Sequence, residues 1–275
     1  MSFREPVAPT LAPQAGRESN PNPSLRVSGE TQRPALRGSA LNAAGGRAAA
    51  RTGEGHRPFV VAIDGPAASG KGTLARRLAE RFGLAHLDTG ALYRATAVLV
   101  LEEAGDPADP ATAEAAARRI EPLLLSDLRL RGDAVAEAAS VVAAIPEVRR
   151  TLLAWQSDFA RHPPAPARGA VLDGRDIGTV VCPAADVKLF VTATTEARAL
   201  RRVKELRERG AEAIYENVLQ DLKTRDARDS ERRAAPLAVA PDAELIDTTT
   251  LDADAVFERA VRLIAGTLEE REWQQ

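Results

Sequence analysis

A glycine-rich run, Gly65-Pro66-Ala67-Ala68-Ser69-Gly70-Lys71-Gly72-Thr73, constrains this chain more than any other segment. It follows a short β-branched apolar run at 59–64 (FVVAID), the pattern of a buried parallel strand. It precedes a stretch in which Leu74, Leu78 and Phe82 fall four apart, on one helical face. A glycine turn between a strand and a helix N-terminus lets backbone N–H groups face an anion, and the helix dipole adds partial positive charge. Lys71 supplies a point charge for β- and γ-phosphates. Residues 65–73 are therefore expected to bind ATP. The strict form of the motif has Ser or Thr straight after the lysine; here Gly72 stands there and Thr73 follows.

Beyond the loop, strand and helix patterns alternate. Strands are expected at 59–64, 84–87, 170–173, 187–191 and 244–247, and helices at 73–82, 91–103, 146–161, 195–210, 212–228 and 252–270. Such alternation predicts an α/β fold with a five-stranded parallel sheet covered by helices on both faces. Pro107, Pro110 and Pro122 break residues 106–134, which read as a small insert. Residues 1–57 are rich in Pro, Gly, Ala, Ser and Arg without a hydrophobic period, and read as a disordered extension. Their prolines and missing amphipathic period speak against a transit peptide, and no apolar core of a secretory signal is present.

Composition removes several function classes. A formal net charge of −2 gives no bulk attraction to nucleic acid or to an anionic membrane. Cys182 is the only cysteine, so neither an internal disulfide nor a thiolate metal cage is available. His56, His86 and His162 lie far apart, and His86 reads as a packed strand residue rather than a catalyst. The longest apolar run, near 95–101, is far short of a membrane span. A reduced, cytosolic, monomeric protein fits these facts.

Four further segments belong with the loop: LDTGALYR (87–94), SVVAAIPEVR (140–149), DGRDIGTVV (173–181) and RDARDSERRAAPL (225–237). Together with the GKGT ending of the loop, they closely resemble bacterial cytidylate kinases, in order and over roughly residues 58–270. The resemblance implies a three-layer P-loop kinase fold over 58–272, with a small monophosphate-binding insert at about 105–145 and a helical lid at about 195–230. It implies ATP as donor, CMP or dCMP as acceptor, and Mg²⁺ held mainly by phosphates and water, with Thr73 the candidate protein contact.

By the same resemblance, Asp176 and Arg149 read the base, with Ser140 and Thr89 near it. The chemistry agrees, because a carboxylate accepts from cytosine N4 while a guanidinium donates to N3 and O2. Uracil reverses donor and acceptor at positions 4 and 3. Arg225 and Asp229 match positions at the sugar, and Arg94, Arg175 and Arg232 match positions that hold the monophosphate, for which planar guanidinium forks are well suited. Lys71, Arg175, Arg202 and Arg232 are the expected catalytic cations; Arg198, Arg201 and Arg202 begin the expected lid and are placed to cover the transferring group. Taken singly, Arg94, Arg149 or Arg175 reads as an ordinary surface arginine, and the Arg/Glu pattern of 196–209 also fits an exposed helix with i,i+4 pairs. The paired acids Asp173 and Asp176 sit at a strand's C-terminal end, where open α/β sheets bind ligands. The alternatives are a P-loop kinase for another acceptor, such as UMP, AMP or shikimate, and a non-catalytic nucleotide-binding module. The chain departs from the family pattern at Ala68, where a second glycine is usual, in an insert shorter than the one that often carries three strands, and in its extension.

Overall fold

The structure, a computed structural model, describes residues 57–273. The expected disordered extension therefore lies outside the described residues, apart from its last member. Arg57 belongs with the folded part, its guanidinium paired with Asp186 at 2.6 Å.

Five strands, β1 (Phe59–Asp64), β2 (Ala85–Asp88), β3 (Gly169–Gly174), β4 (Val187–Thr192) and β5 (Glu244–Asp247), form one sheet. Its order is β2-β3-β1-β4-β5, and every pairing is parallel. The helices are α1 (Lys71–Phe82), α2 (Thr89–Glu102), α3 (Pro110–Ala117), α4 (Asp133–Val142), α5 (Pro146–Arg161), α6 (Thr195–Glu208), α7 (Tyr215–Glu231) and α8 (Ala253–Trp273).

The period of two along β1 builds both cores. Phe59, Val61 and Ile63 face α1 and α8, packing with Leu74, Leu78 and Ile264. Val60 and Ala62 face the other way, towards Leu172, Ile177 and Ala160 of α5. A fully buried central strand thus explains the unbroken apolar run, and the expected three layers are present. A separate seam packs Ala67 of the phosphate loop against Ala199 and Val203 of α6 and Val218 and Leu222 of α7.

Element bounds at 59–64, 146–161 and 244–247 coincide with expectation, and most others shift by one to three residues. The stretch at 106–134 departs further. Pro110 starts α3 instead of breaking a helix: it has no N–H to lose at the first turn, and the Asp109 carboxylate caps the end by accepting from Thr112 N at 2.8 Å. Two 3₁₀ turns, Pro122–Ser126 and Leu128–Arg131, and then α4 complete the segment. Helix α4 was not foreseen. Helices here occupy the place of the small sheet common in the family.

Register aligns the strand ends that matter. Asp64 lies beside Gly174 of β3 and Phe190 of β4, and Asp88 lies beside Asp173. The chain leaves β1 between two strands whose connections run in opposite directions, so a crevice opens at its C-terminal end. Gly65 turns there with φ 148°, and a Cβ on it would lie 2.0 Å from Val191 O. Since that neighbour is backbone, Gly65→Ala is expected to cost about 2 kcal/mol or more and to displace the loop from β4. Thermal unfolding with a parallel ATP titration measures both effects.

Candidate active site

The phosphate loop connects β1 to α1, with Ala68 in its middle. That residue adopts φ 59°, a conformation glycine takes freely and alanine only with strain. Gly70 caps α1 from a left-handed conformation, so the helix N-terminus opens into the loop. Lys71 Nζ donates to Pro66 O at 3.1 Å. Removal from water, and next the Arg175 guanidinium, push its ammonium down to about 7. An anion seated in the loop would reverse that shift.

The loop separates two cavities. One, of about 310 Å³, is walled by Ala67, Ala68, Lys71 and Gly72 on one side and by the ends of β2 and β3 on the other. The second, of about 270 Å³, lies against Ser69, Gly70 and Thr73, with Arg77 of α1, Arg201 of α6 and Thr248 after β5. The sequence did not distinguish two compartments.

The first cavity gathers all nine expected acceptor residues: Thr89, Arg94, Ser140, Arg149, Arg175, Asp176, Arg225, Asp229 and Arg232. Most are fastened to one another. Arg149 Nη2 donates to Asp176 Oδ2 at 2.5 Å, both side chains being less than a tenth exposed. Arg175 Nε donates to Asp229 at 2.8 Å, and Arg94 Nη2 to Asp88 at 2.7 Å. Burial works to raise the Asp229 carboxyl, but Arg175 and Arg225 outweigh it and hold it below its usual range. Thr89 Oγ1 donates to Asp173 O at 2.8 Å, and Ser140 Oγ accepts from Arg228 of α7 at 2.8 Å.

Two donors remain over. Arg225 Nε and Arg232 Nη2 are buried with no hydrogen-bond acceptor among the described residues, although Arg232 Nη2 faces Asp176 Oδ1 at 3.6 Å. Burial, and then Arg175, lower Arg225 to about 10. Orphaned guanidinium donors deep in a cavity are costly unless an anion completes them. The cavity wall holds six basic side chains against five carboxylates.

Arg202 is placed differently. Its guanidinium binds Asp133 of α4 at 2.5 Å and Glu205 at 3.0 Å, and of that trio only Glu205 lines the cavity. Arg198 is buried and Arg201 faces the second cavity, so Arg198, Arg201 and Arg202 do not form one cover.

Several site residues were not singled out from sequence. Asp88 and Tyr93 lie inside the LDTGALYR segment, yet nothing in the string shows that one grips Arg94 and the other puts its ring 5.6 Å from the Arg149 guanidinium. His86 is more than a packed side chain, since its Nε2 lies 3.0 Å from Asp173 Oδ1. Asp64 read only as the end of a strand. Its carboxylate accepts from Ile177 N and Gly178 N at 2.7 Å each, fixing the π-helical turn Ile177–Val181 that follows Asp176.

Open parallel sheet, phosphate loop and arginine-lined cavity together define a P-loop phosphotransferase. A cytidylate kinase family model matches residues 61–266. The cytidylate kinase of Rhodospirillum rubrum is 55% identical over 207 residues, covering 75% of this chain and 97% of that protein. That of Paramagnetospirillum magneticum is 57% identical over 207 residues, with 75% and 98% covered. That of a Methylobacterium species is 60% identical over 185 residues, with 67% and 86% covered. This chain belongs to the cytidylate kinase family and is a nucleoside monophosphate phosphotransferase.

Burial pushes the Asp64 carboxyl up to about 6, more than its two N–H partners lower it. The folded chain therefore keeps this proton to higher pH than the unfolded chain, whose value is the ordinary 3.8. Stability from this group is complete below that value and is lost as pH rises through about 6. Between pH 4 and 7, wild type is expected to lose up to about 3 kcal/mol relative to Asp64→Asn. Urea unfolding of both proteins across that range tests it, and parallel pH profiles would refute it.

Proposed function

We propose that the chain phosphorylates CMP and dCMP with ATP, by in-line transfer between the two sides of the phosphate loop. The Arg149–Asp176 pair carries this reading. It is a buried acceptor and a buried donor held side by side, matching the amino group and the N3/O2 edge of cytosine. Uracil would set its O4 against the Asp176 carboxylate, a mismatch that a buried site penalises heavily.

Arg94, Arg175 and Arg232 would hold the acceptor phosphate, with Arg225 and Asp229 at the sugar and Ser140 and Thr89 near the base. Lys71 and the loop N–H groups would hold the donor phosphates, and the second cavity would take the donor base. The acceptor phosphate is already anionic near neutral pH, so alignment and charge neutralisation, rather than proton abstraction, lower the barrier. The Thr73 hydroxyl at the loop and the Asp173 carboxylate against Gly72 suit Mg²⁺, which keeps water and phosphate oxygens in most positions. Bound there, Mg²⁺ would offset phosphate charge.

In this reading α6 and α7 form the lid and the segment around α3 and α4 the monophosphate insert. Arg202 reaches the transferring group by exchanging Asp133 for phosphate. In this reading the protein works as a monomer in the cytoplasm. Among the described residues no helix is long and apolar enough to cross a membrane.

Coupled ADP release with Mg·ATP against CMP, dCMP, UMP, AMP and GMP tests the acceptor. CMP and dCMP are expected to lead, and comparable turnover with AMP would sink the base assignment. Asp176→Ala is expected to lower kcat/KM for CMP about 100-fold while ATP affinity stays within about threefold. Lys71→Ala abolishes transfer to every acceptor.

A proton should accompany donor binding. Lys71 is held near 7 in the free chain and becomes fully charged against phosphate. ATP binding is expected to take up about 0.9 proton at pH 8 and about 0.1 at pH 6. Calorimetric titrations in buffers of different ionisation enthalpy read this directly, and Lys71→Met removes it.

A further inference from the structure

Arg198 sits in the first turn of α6, where the sequence suggested a residue covering phosphate. It is 3% exposed. Its Nε donates to Ala193 O at 3.0 Å, just past the end of β4. Its Nη1 donates to Ala67 O at 3.1 Å and to Asp226 Oδ1 at 3.1 Å. Its Nη2 donates to Thr195 Oγ1 at 2.9 Å and to Asp226 Oδ2 at 2.5 Å. A guanidinium has five N–H groups, and all five are engaged. None is left for a ligand.

The acceptors belong to three separate pieces. Ala193 belongs to the sheet and Ala67 to the phosphate loop. Asp226 belongs to α7, between the orphaned Arg225 and the Arg228 that bonds Ser140, and three residues before Asp229. The peptide fixed at Ala67 O leads into Ala68, the loop residue at positive φ. The apolar seam between Ala67 and the two lid helices surrounds the same junction.

We propose that Arg198 is a positioning residue that couples the donor and acceptor halves of the site. It holds the Ala67 carbonyl of the phosphate loop and the Asp226 carboxylate of α7 in one rigid fork. A ligand that settles the loop thereby settles the helix that carries Arg225 and Asp229, and the reverse. The two ligands then bind with positive coupling, equal in either order. This rests on the loop as the ATP site and on α7 as part of the CMP site.

The test is the affinity for CMP, measured calorimetrically with and without a saturating non-hydrolysable ATP analogue. The proteins are the full chain, Arg198→Lys and Asp226→Asn. Lysine keeps the charge but cannot span three pieces, and Asp226→Asn keeps the side-chain shape but loses the bidentate ion pair. The full chain is expected to bind CMP at least about fivefold more tightly with the analogue present. In either variant that factor is expected to fall below about twofold, with each ligand's separate affinity changed less than about threefold. Asp226→Asn serves alone if the lysine variant does not fold. A coupling factor unchanged in the variants, with only the melting temperature lowered, would reduce Arg198 to a structural strut and overturn the proposal. So would a full chain that binds both ligands without coupling. Failure of the full chain to bind CMP at all would overturn the acceptor reading beneath it.

Discussion

Two backbone N–H groups, of Ile177 and Gly178, donate to the Asp64 carboxylate, and the geometry of the site depends on that contact. Asp64 is the last residue of β1 and the phosphate loop starts with the next one, while Asp176 immediately precedes the turn so fixed. One side chain thus sets the distance between the phosphate loop and the Asp176 carboxylate. Burial makes the ionised form costly, and that cost is offset locally by the two N–H groups and by packing of Ile177 in the core between β3 and α5. A functional position that burdens stability is an ordinary compromise in enzymes.

The arginines follow a related logic. A cavity with this many guanidiniums would repel itself without counter-charges, and the chain supplies them in pairs: Asp176 for Arg149, Asp229 for Arg175 and Asp88 for Arg94. Each pair also fixes a fork in one orientation, so little ordering is left for a ligand to impose. What remains without a hydrogen bond, Arg225 Nε and Arg232 Nη2, marks where a further acceptor is wanted, although Arg232 also faces Asp176 at 3.6 Å and Asp229 at 3.8 Å. Which donors are engaged and which are spare cannot be read from residue type alone.

Much of this was legible in the string, for physical reasons. Strand β1 could be bounded correctly because a central parallel strand buried on both faces must be apolar throughout. The start of α5 was readable because proline suits a first helical turn. Helix α4 was missed because it follows directly on a proline-broken stretch and no side-chain cap marks its start. Pro110 misled for a related cause, since a proline that starts a helix and one that ends it differ only in their neighbours. The motifs pointed to residues that the fold brings to one cavity. The contacts of Asp64 and Asp226 were not legible, because they run between elements 28 to 114 positions apart.

The phosphate loop shows where the division falls. Sequence alone determined that residues 65–73 form a glycine-rich turn between β1 and α1, since glycines, lysine and flanking elements are local properties of consecutive residues. It also determined the order of strands and helices, and hence the class of fold. Tertiary structure decided what the arginines do: Arg198 is spent entirely on internal carbonyls, a carboxylate and a hydroxyl, Arg202 is tied to Asp133, and Arg225 and Arg232 are left with donors unmet. A guanidinium's role is set by which acceptors surround it, and those come from distant elements that only the folded chain brings together.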